Sequence, residues 1–210
     1  MFVLEDFLNY EKYFYKSHTI SHEIIAGSKK TMLSAPHSVT QVRNGKEKLS
    51  EPQTGALAMY LNALTNCPAI YKTKNCNDDA NFDTNSPYKK DLETFIKDNN
   101  VNLLLDLHQL SQKRSEEINI GTDNFKNVKD TSLLNKIISI FEKNNLKVSI
   151  DMPFSATRPN TVSKYVFTTC NITALQIEIN NRLVWSNNVS ELTRVKDVFN
   201  SLKEIILLND

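Results

Sequence analysis

The run Leu103-Leu104-Leu105-Asp106-Leu107-His108-Gln109-Leu110 constrains this chain more than any other segment. Its apolar stretch is long enough for a buried strand, and it predicts one over Val101–Leu107. Asp106 and His108 fall where that strand leaves the sheet. In open α/β sheets, ligands gather outside the carboxyl ends of the strands. The chain has four histidines, His18, His22, His37 and His108, and His37 sits in an equivalent context, closing the stretch TMLSAPH. Two of four histidines at two strand ends suggest a metal site that folding assembles.

The remainder of the chain alternates in the same way. Further strands are expected at Thr19–Ala26, Thr31–Ala35, Ala69–Lys72, Ile118–Gly121, Lys147–Asp151 and Ala174–Ile179. Amphipathic helical spacing appears in the segment bearing Leu57, Leu61 and Leu64, then in Pro87–Asn99, Thr131–Asn144 and Ser190–Leu208. The first of these helices opens with Ser50-Glu51-Pro52-Gln53, which has the form of a capping box with proline in the first turn. Strands alternating with helices predict one α/β domain over residues 1–210, with a mixed, largely parallel sheet flanked by helices. Two polar stretches, Val42–Leu49 and Lys74–Ser86, have no regular assignment. Both follow predicted strands, where residues that set specificity commonly sit.

Composition removes several functional classes. A net charge of +1 gives no basic footprint for nucleic acid or an anionic membrane. Four glycines, at positions 27, 45, 55 and 121, cannot build a phosphate-binding loop. Cys67, Cys76 and Cys170 are odd in number and widely spaced, which argues against a disulfide framework and against a cysteine zinc finger. No apolar run approaches the roughly 20 residues of a membrane helix. The expected setting is a reducing cytoplasm, and the expected partner is a small molecule.

A catalytic zinc takes three ligands from His and Glu or Asp and leaves a position for water, and a nearby carboxylate moves the proton. His37 and His108 supply two nitrogen ligands. Glu51 is the best third ligand from the residues alone; Asp106 is the alternative, or else it accepts the ring N–H of His108. An acidic residue at the start of a helix also suits the helix dipole, so position 51 has a purely structural explanation as well. The free carboxylate is Glu178 in ALQIEINNRLV. Alternation places Gln176, Glu178 and Asn180 on one face of a strand and Leu175, Ile177 and Ile179 on the other. An edge strand with one wet face would explain the same pattern without chemistry.

The blocks SAPHSVTQVRNGKEKLSEPQTG, DANFD with SPY, LLLDLHQ and ALQIEINNRL, in that order, resemble the N-formylglutamate amidohydrolase family, which is related to zinc carboxypeptidases and aspartoacylases. The resemblance spans about residues 31–185. It implies a phosphorylase/hydrolase-like, zinc carboxypeptidase-like fold. It also implies one divalent metal, Zn2+, on His37, Glu51 and His108, with Glu178 as general base. One departure stands out: the carboxypeptidase pattern is His-x-x-Glu, whereas here Thr occupies position 40 and Glu51 lies fourteen residues after His37.

The implied reaction is hydrolysis of an amide beside a carboxylate, in an N-acyl (N-formyl) amino acid or a small peptide-like substrate. Arg43, Arg158 and Arg182, with Lys48, are the candidate cations for that carboxylate. Three other readings remain: a zinc carboxypeptidase-type peptidase, a non-catalytic metal-binding module with the same fold, and a cysteine hydrolase built on Cys170.

Overall fold

The computed structural model describes residues 1–209. Among them, a seven-stranded sheet runs in the order β1 (His22–Ile25), β5 (Ala69–Lys72), β2 (Thr31–Ala35), β6 (Leu103–Leu110), β9 (Thr173–Asn180), β7 (Ile118–Gly121) and β8 (Val148–Ile150). Four of the five inner strands, β5, β2, β6 and β9, are mutually parallel. β1 and β7 join them antiparallel, and β8 follows the direction of β7. A separate two-stranded hairpin comprises β3 (Gln41–Arg43) and β4 (Lys46–Lys48). The result is a single α/β domain with a mixed, mostly parallel sheet, as the alternation of elements predicts.

Period-two alternation sorts the side chains onto two faces. Leu33, Leu103, Leu105, Leu107, Ile177 and Ile179 enter one core together with helices α1 (Leu4–Tyr13), α2 (Pro52–Thr65), α4 (Thr131–Lys143) and α6 (Val195–Leu208). Met32, Ile70, Leu104 and Ala174 enter a second core on the opposite face, beneath α3 (Pro87–Asp98) and α5 (Val162–Cys170). On that second face the chemistry changes along the strands. Past the apolar layer come Ser34, Asp106 and Gln176 in register, then His108 beside Glu178. All five are buried. Burying so many polar groups at one end of a sheet is costly unless they are paired, and their partners define the site described below.

Several elements differ from the sequence reading. The strand expected at Val101–Leu107 runs on to Leu110, because β9 offers ladder partners as far as Asn180. His108 therefore lies within the strand. β9 is an inner strand, so the edge-strand explanation of Glu178 does not hold. The first predicted strand shrinks to His22–Ile25. Helix α1 was not apparent from the chain's acidic, aromatic start, yet Phe7, Glu11 and Phe14 are buried at helical spacing. α5 is rich in β-branched residues, which masks a helix that Thr161 caps by accepting from the Lys164 amide. The capping box at residues 50–53 is absent: Glu51 is the N-cap but makes no capping bond, and Gln53 donates to Glu11 instead. Pro52 does occupy the first turn. No helix of the described residues is long and apolar enough to cross a membrane.

Candidate metal centre and active site

Three segments deliver the donors. His37 follows the end of β2, His108 stands near the end of β6, and Glu51 precedes α2. The thirteen residues between His37 and Glu51 are bridged at their base, where the Glu51 amide donates to the His37 carbonyl at 2.7 Å. Gly55 lets α2 settle there, since a Cβ would lie 2.3 Å from the Phe14 ring and 2.6 Å from Ser38 Oγ. Because its carboxylate does not cap the helix, Glu51 is free to turn inward.

His37, Glu51 and His108 each place one donor atom within 4.8 Å of the other two. The two Nδ1 atoms are 3.2 Å apart. Glu51 Oε1 lies 3.3 Å from His37 Nδ1, and its Oε2 lies 3.7 Å from His108 Nδ1. Each imidazole is anchored through its other nitrogen by a buried carboxylate: His37 Nε2 to Asp79 Oδ1 at 3.0 Å, and His108 Nε2 to Asp106 Oδ2 at 3.0 Å. Asp106 is itself held by the Ser34 hydroxyl at 2.7 Å.

With both Nε2–H groups donated, two imidazole lone pairs and a carboxylate converge on one point. Only a cation makes that arrangement favourable. In the absence of a metal, a proton serves. Burial alone would lower the pKa of His37, but Glu51 and Asp79 outweigh it and push the imidazole up to about 10. Burial likewise opposes charging of His108, and Asp106 raises it nonetheless. Asp79 shows the complementary effect: despite desolvation, His37 and Arg43 hold it well below the usual carboxylate range. Two nitrogens and a carboxylate oxygen form an ordinary ligand set for a catalytic divalent ion, and carboxylate-anchored imidazoles are the usual supporting layer. The group suits a metal ion.

Glu178 pairs with His108 across the β6–β9 ladder and accepts a 2.7 Å bond from Gln176 Nε2. Desolvation pushes its carboxyl up to about 7; His108 works against the rise and Glu51 adds to it. A cleft of about 530 Å³ opens over these groups, and His37, Glu51, His108, Gln176 and Glu178 all line it. A larger depression of about 670 Å³ beside α4 and α6 carries neither histidine nor cysteine in its lining, so the chemistry belongs to the smaller one.

The roof of the cleft is the segment 151–161. Asp151 receives the Thr122 amide and hydroxyl at 2.6 Å each, and the Phe154 amide donates to Asn119 Oδ1 at 3.1 Å. Gly121 permits the close approach, because a Cβ there would meet Ala156 Cβ and the Phe154 carbonyl at 3.1 Å.

The candidate cations separate. Arg43, Lys48 and Arg158 line the cleft. Arg43 is committed to Asp79, with its Nε and a terminal nitrogen each 2.8 Å from Oδ2. Arg158 has no hydrogen-bonded or ionic side-chain partner among the described residues. Arg182 is a correction: it lies outside the cleft lining and donates to the carbonyls of Arg114 and Ser115 at 2.9 and 3.1 Å. Cys170 ends α5, half-buried, and burial pushes its thiol up, the opposite of an activated nucleophile. Asp79 is the residue that the sequence reading did not single out. Its only signal is its place in the polar stretch after β5.

No protein-family model matches the chain, and no curated protein matches it in sequence. Solved structures match it in fold. A bacteriophage poly-gamma-glutamate hydrolase aligns at TM-score 0.55 with 14% identity, over 91% of this chain and 90% of that one. The succinylglutamate desuccinylase of Chromobacterium violaceum aligns at 0.54 with 15% identity, over 96% and 76%. A metallo-carboxypeptidase from Burkholderia cenocepacia aligns at 0.50 with 11% identity, over 97% and 67%. The fold is carboxypeptidase-like. That architecture places the candidate centre at the carboxyl ends of the inner strands, where such sheets receive ligands.

Proposed function

We propose that this protein is a zinc-dependent amidohydrolase cleaving the amide of an N-acyl amino acid that bears a carboxylate, the reaction class implied by the resemblance to N-formylglutamate amidohydrolases. The observation that carries the reading is a buried donor set, His37, Glu51 and His108, with the further buried carboxyl of Glu178 lining the same cleft. A non-catalytic module has no use for the second feature. Two proteins of this fold are named poly-gamma-glutamate hydrolase and succinylglutamate desuccinylase, and acidic substrates suit the cationic lining here. Free thiols at Cys67, Cys76 and Cys170 suit a reducing compartment such as the cytoplasm.

His37, Glu51 and His108 would hold the zinc, with Asp79 and Asp106 fixing the orientation of the two rings. A zinc ion bound there supplies Lewis acidity, polarising the amide carbonyl and making water a better nucleophile near neutral pH. Glu178 would take the proton from the attacking water and return it to the amine as the C–N bond breaks, the role of a general base that stands beside the metal without holding it. Gln176 fixes the rotamer of that carboxyl. Arg158 receives the substrate carboxylate, its planar fork matching two oxygens. Elemental analysis and a chelator test on a panel of N-acyl amino acids decide the matter. Stoichiometric zinc with chelator-sensitive release of the free amino acid is the expected result. Protein that neither contains nor takes up a metal, or metal-loaded protein inert on the whole panel, overturns the proposal.

A further inference from the structure

The β3–β4 hairpin occupies the thirteen-residue stretch between the ligands His37 and Glu51. Its turn, Asn44-Gly45, has positive φ at both positions (52° and 73°), as a tight two-residue hairpin requires. Glu51 N to His37 O closes the base. The arm is then pinned to the segment after β5 by the Val42 amide on the Asp78 carbonyl at 3.1 Å and by Arg43 on Asp79. This fixes the hairpin relative to the metal ligands, because the same Asp79 orients His37.

The end of β4 nearer that base delivers Lys48 and Leu49 to the cleft lining. Leu49 is 92% exposed, an unusual state for a leucine fixed at the mouth of a cleft. The Lys48 side chain has no hydrogen-bonded or ionic partner among the described residues, unlike Arg43 on the paired strand. The cleft therefore has two uncompensated cations, Lys48 and Arg158. They come from opposite directions: the hairpin follows β2 and the segment bearing Arg158 follows β8, and β7 lies between these strands in the sheet together with β6 and β9. His108 and Glu178 stand on β6 and β9.

Resting on the hydrolase reading above, we propose that the hairpin is a specificity arm and that the substrate carries carboxylates on both sides of the scissile amide, one received by Arg158 and the other by Lys48. The substrate class is an amide joining an acidic amino acid to a dicarboxylic acyl group or a second acidic residue. Lys48 acts by binding, so its contribution appears in affinity for one end of the ligand.

The test is calorimetric binding to zinc-loaded Glu178→Gln protein, with turnover by the parent enzyme measured separately. The probes are N-succinyl-glutamate and the same compound with its succinyl carboxylate converted to the primary amide. The diacid should bind about ten-fold more tightly, as for a hydrogen bond to a charged group. Lys48→Met should abolish that preference, whereas Arg158→Met should weaken both ligands and preserve it. Equal binding of the two probes, binding of neither, or a preference that survives Lys48→Met overturns the arm's role. Binding with the expected preference but no turnover by the parent would uphold the arm and refute the hydrolase reading.

Discussion

Replacing Glu178 with glutamine tests the chemistry and the electrostatics of the site together. The amide keeps the shape and can accept the bond from Gln176 that the carboxylate accepts now. A base that is not itself one of the metal's ligands can be neutralised without emptying the metal site, so zinc content should stay stoichiometric. Turnover should fall by roughly a hundred- to ten-thousand-fold, the range for a lost general base. The metal-free protein gives a second readout. The folded-state carboxyl sits at about 7 against 4.5 in the reference state, so its ionisation opposes folding. This penalty is absent below pH 4.5 and complete once pH has risen through 7. At about 1.4 kcal/mol per pH unit, it reaches about 3 kcal/mol at pH 8.5 and shrinks below about 1 kcal/mol at pH 5. Chelated Glu178→Gln should therefore melt on the order of 5–10 °C above the chelated parent at pH 8.5, given how melting temperatures shift in chains of this size. At pH 5 the two should nearly coincide. Scanning calorimetry at both pH values checks this. A variant that loses zinc would make Glu178 a ligand, and one that gains no stability at pH 8.5 would refute the buried, neutral-pH carboxyl.

Four further outcomes follow from the same geometry. Asp79→Asn should weaken zinc binding by about 10- to 100-fold in a chelator competition, as expected when an anchor of a ligating imidazole is neutralised; unchanged affinity would mean that His37 is oriented without it. Arg158→Lys should raise KM and leave kcat close to the parent value, whereas Arg182→Lys should alter neither in steady-state assays, because the Arg182 donors meet backbone carbonyls away from the cleft. His37 titrates up to about 10 without metal, so the stability its charge contributes is complete below pH 6.5 and disappears as pH rises through 10: melting of the chelated protein should fall between pH 7 and 10.5, and zinc uptake at pH 7 should release protons in a pH-stat. Gly121→Val should push against Ala156 and Phe154 and raise KM at constant zinc content; an unchanged KM would show that the roof over the cleft does not position substrate.

Legibility in the sequence followed locality. The apolar runs at 103–110 and 173–180 specify inner strands, and alternation alone assigns Glu178 and Gln176 to one face, because period two is rigid along a strand. Helix α5 was hidden because Val162, Val166, Thr168 and Thr169 favour strands in isolation, and only packing on Met32, Leu104 and Ala174 overrides that preference. Asp79 could not be read at all. Its role depends on meeting His37 across 42 positions of sequence, and nothing in DANFD distinguishes the aspartate that turns inward from Asp83, which receives the Asp79 amide. Arg182 was misplaced for the opposite reason. Closeness in sequence to Glu178 suggested closeness to the chemistry, but the 3-10 turn that follows β9 carries its side chain to the 114–117 segment.

The unusual spacing of the first two donors has a physical resolution that applies to such sites generally. A His-x-x-Glu pattern brings its donors together by being short. Here the same meeting is achieved by a single backbone bond, Glu51 N to His37 O, which makes the intervening chain a side excursion. Loop-closure entropy rises only with the logarithm of length, so each doubling of the excursion costs about 0.6 kcal/mol. A hairpin with its own turn and ladder offsets part of even that. The ligand geometry thus places almost no limit on what is inserted between His37 and Glu51, provided that the insertion begins and ends at the closing bond. This makes position 38–50 the cheapest place in the fold to add a binding element beside the metal, and it is the place where this chain has put Lys48.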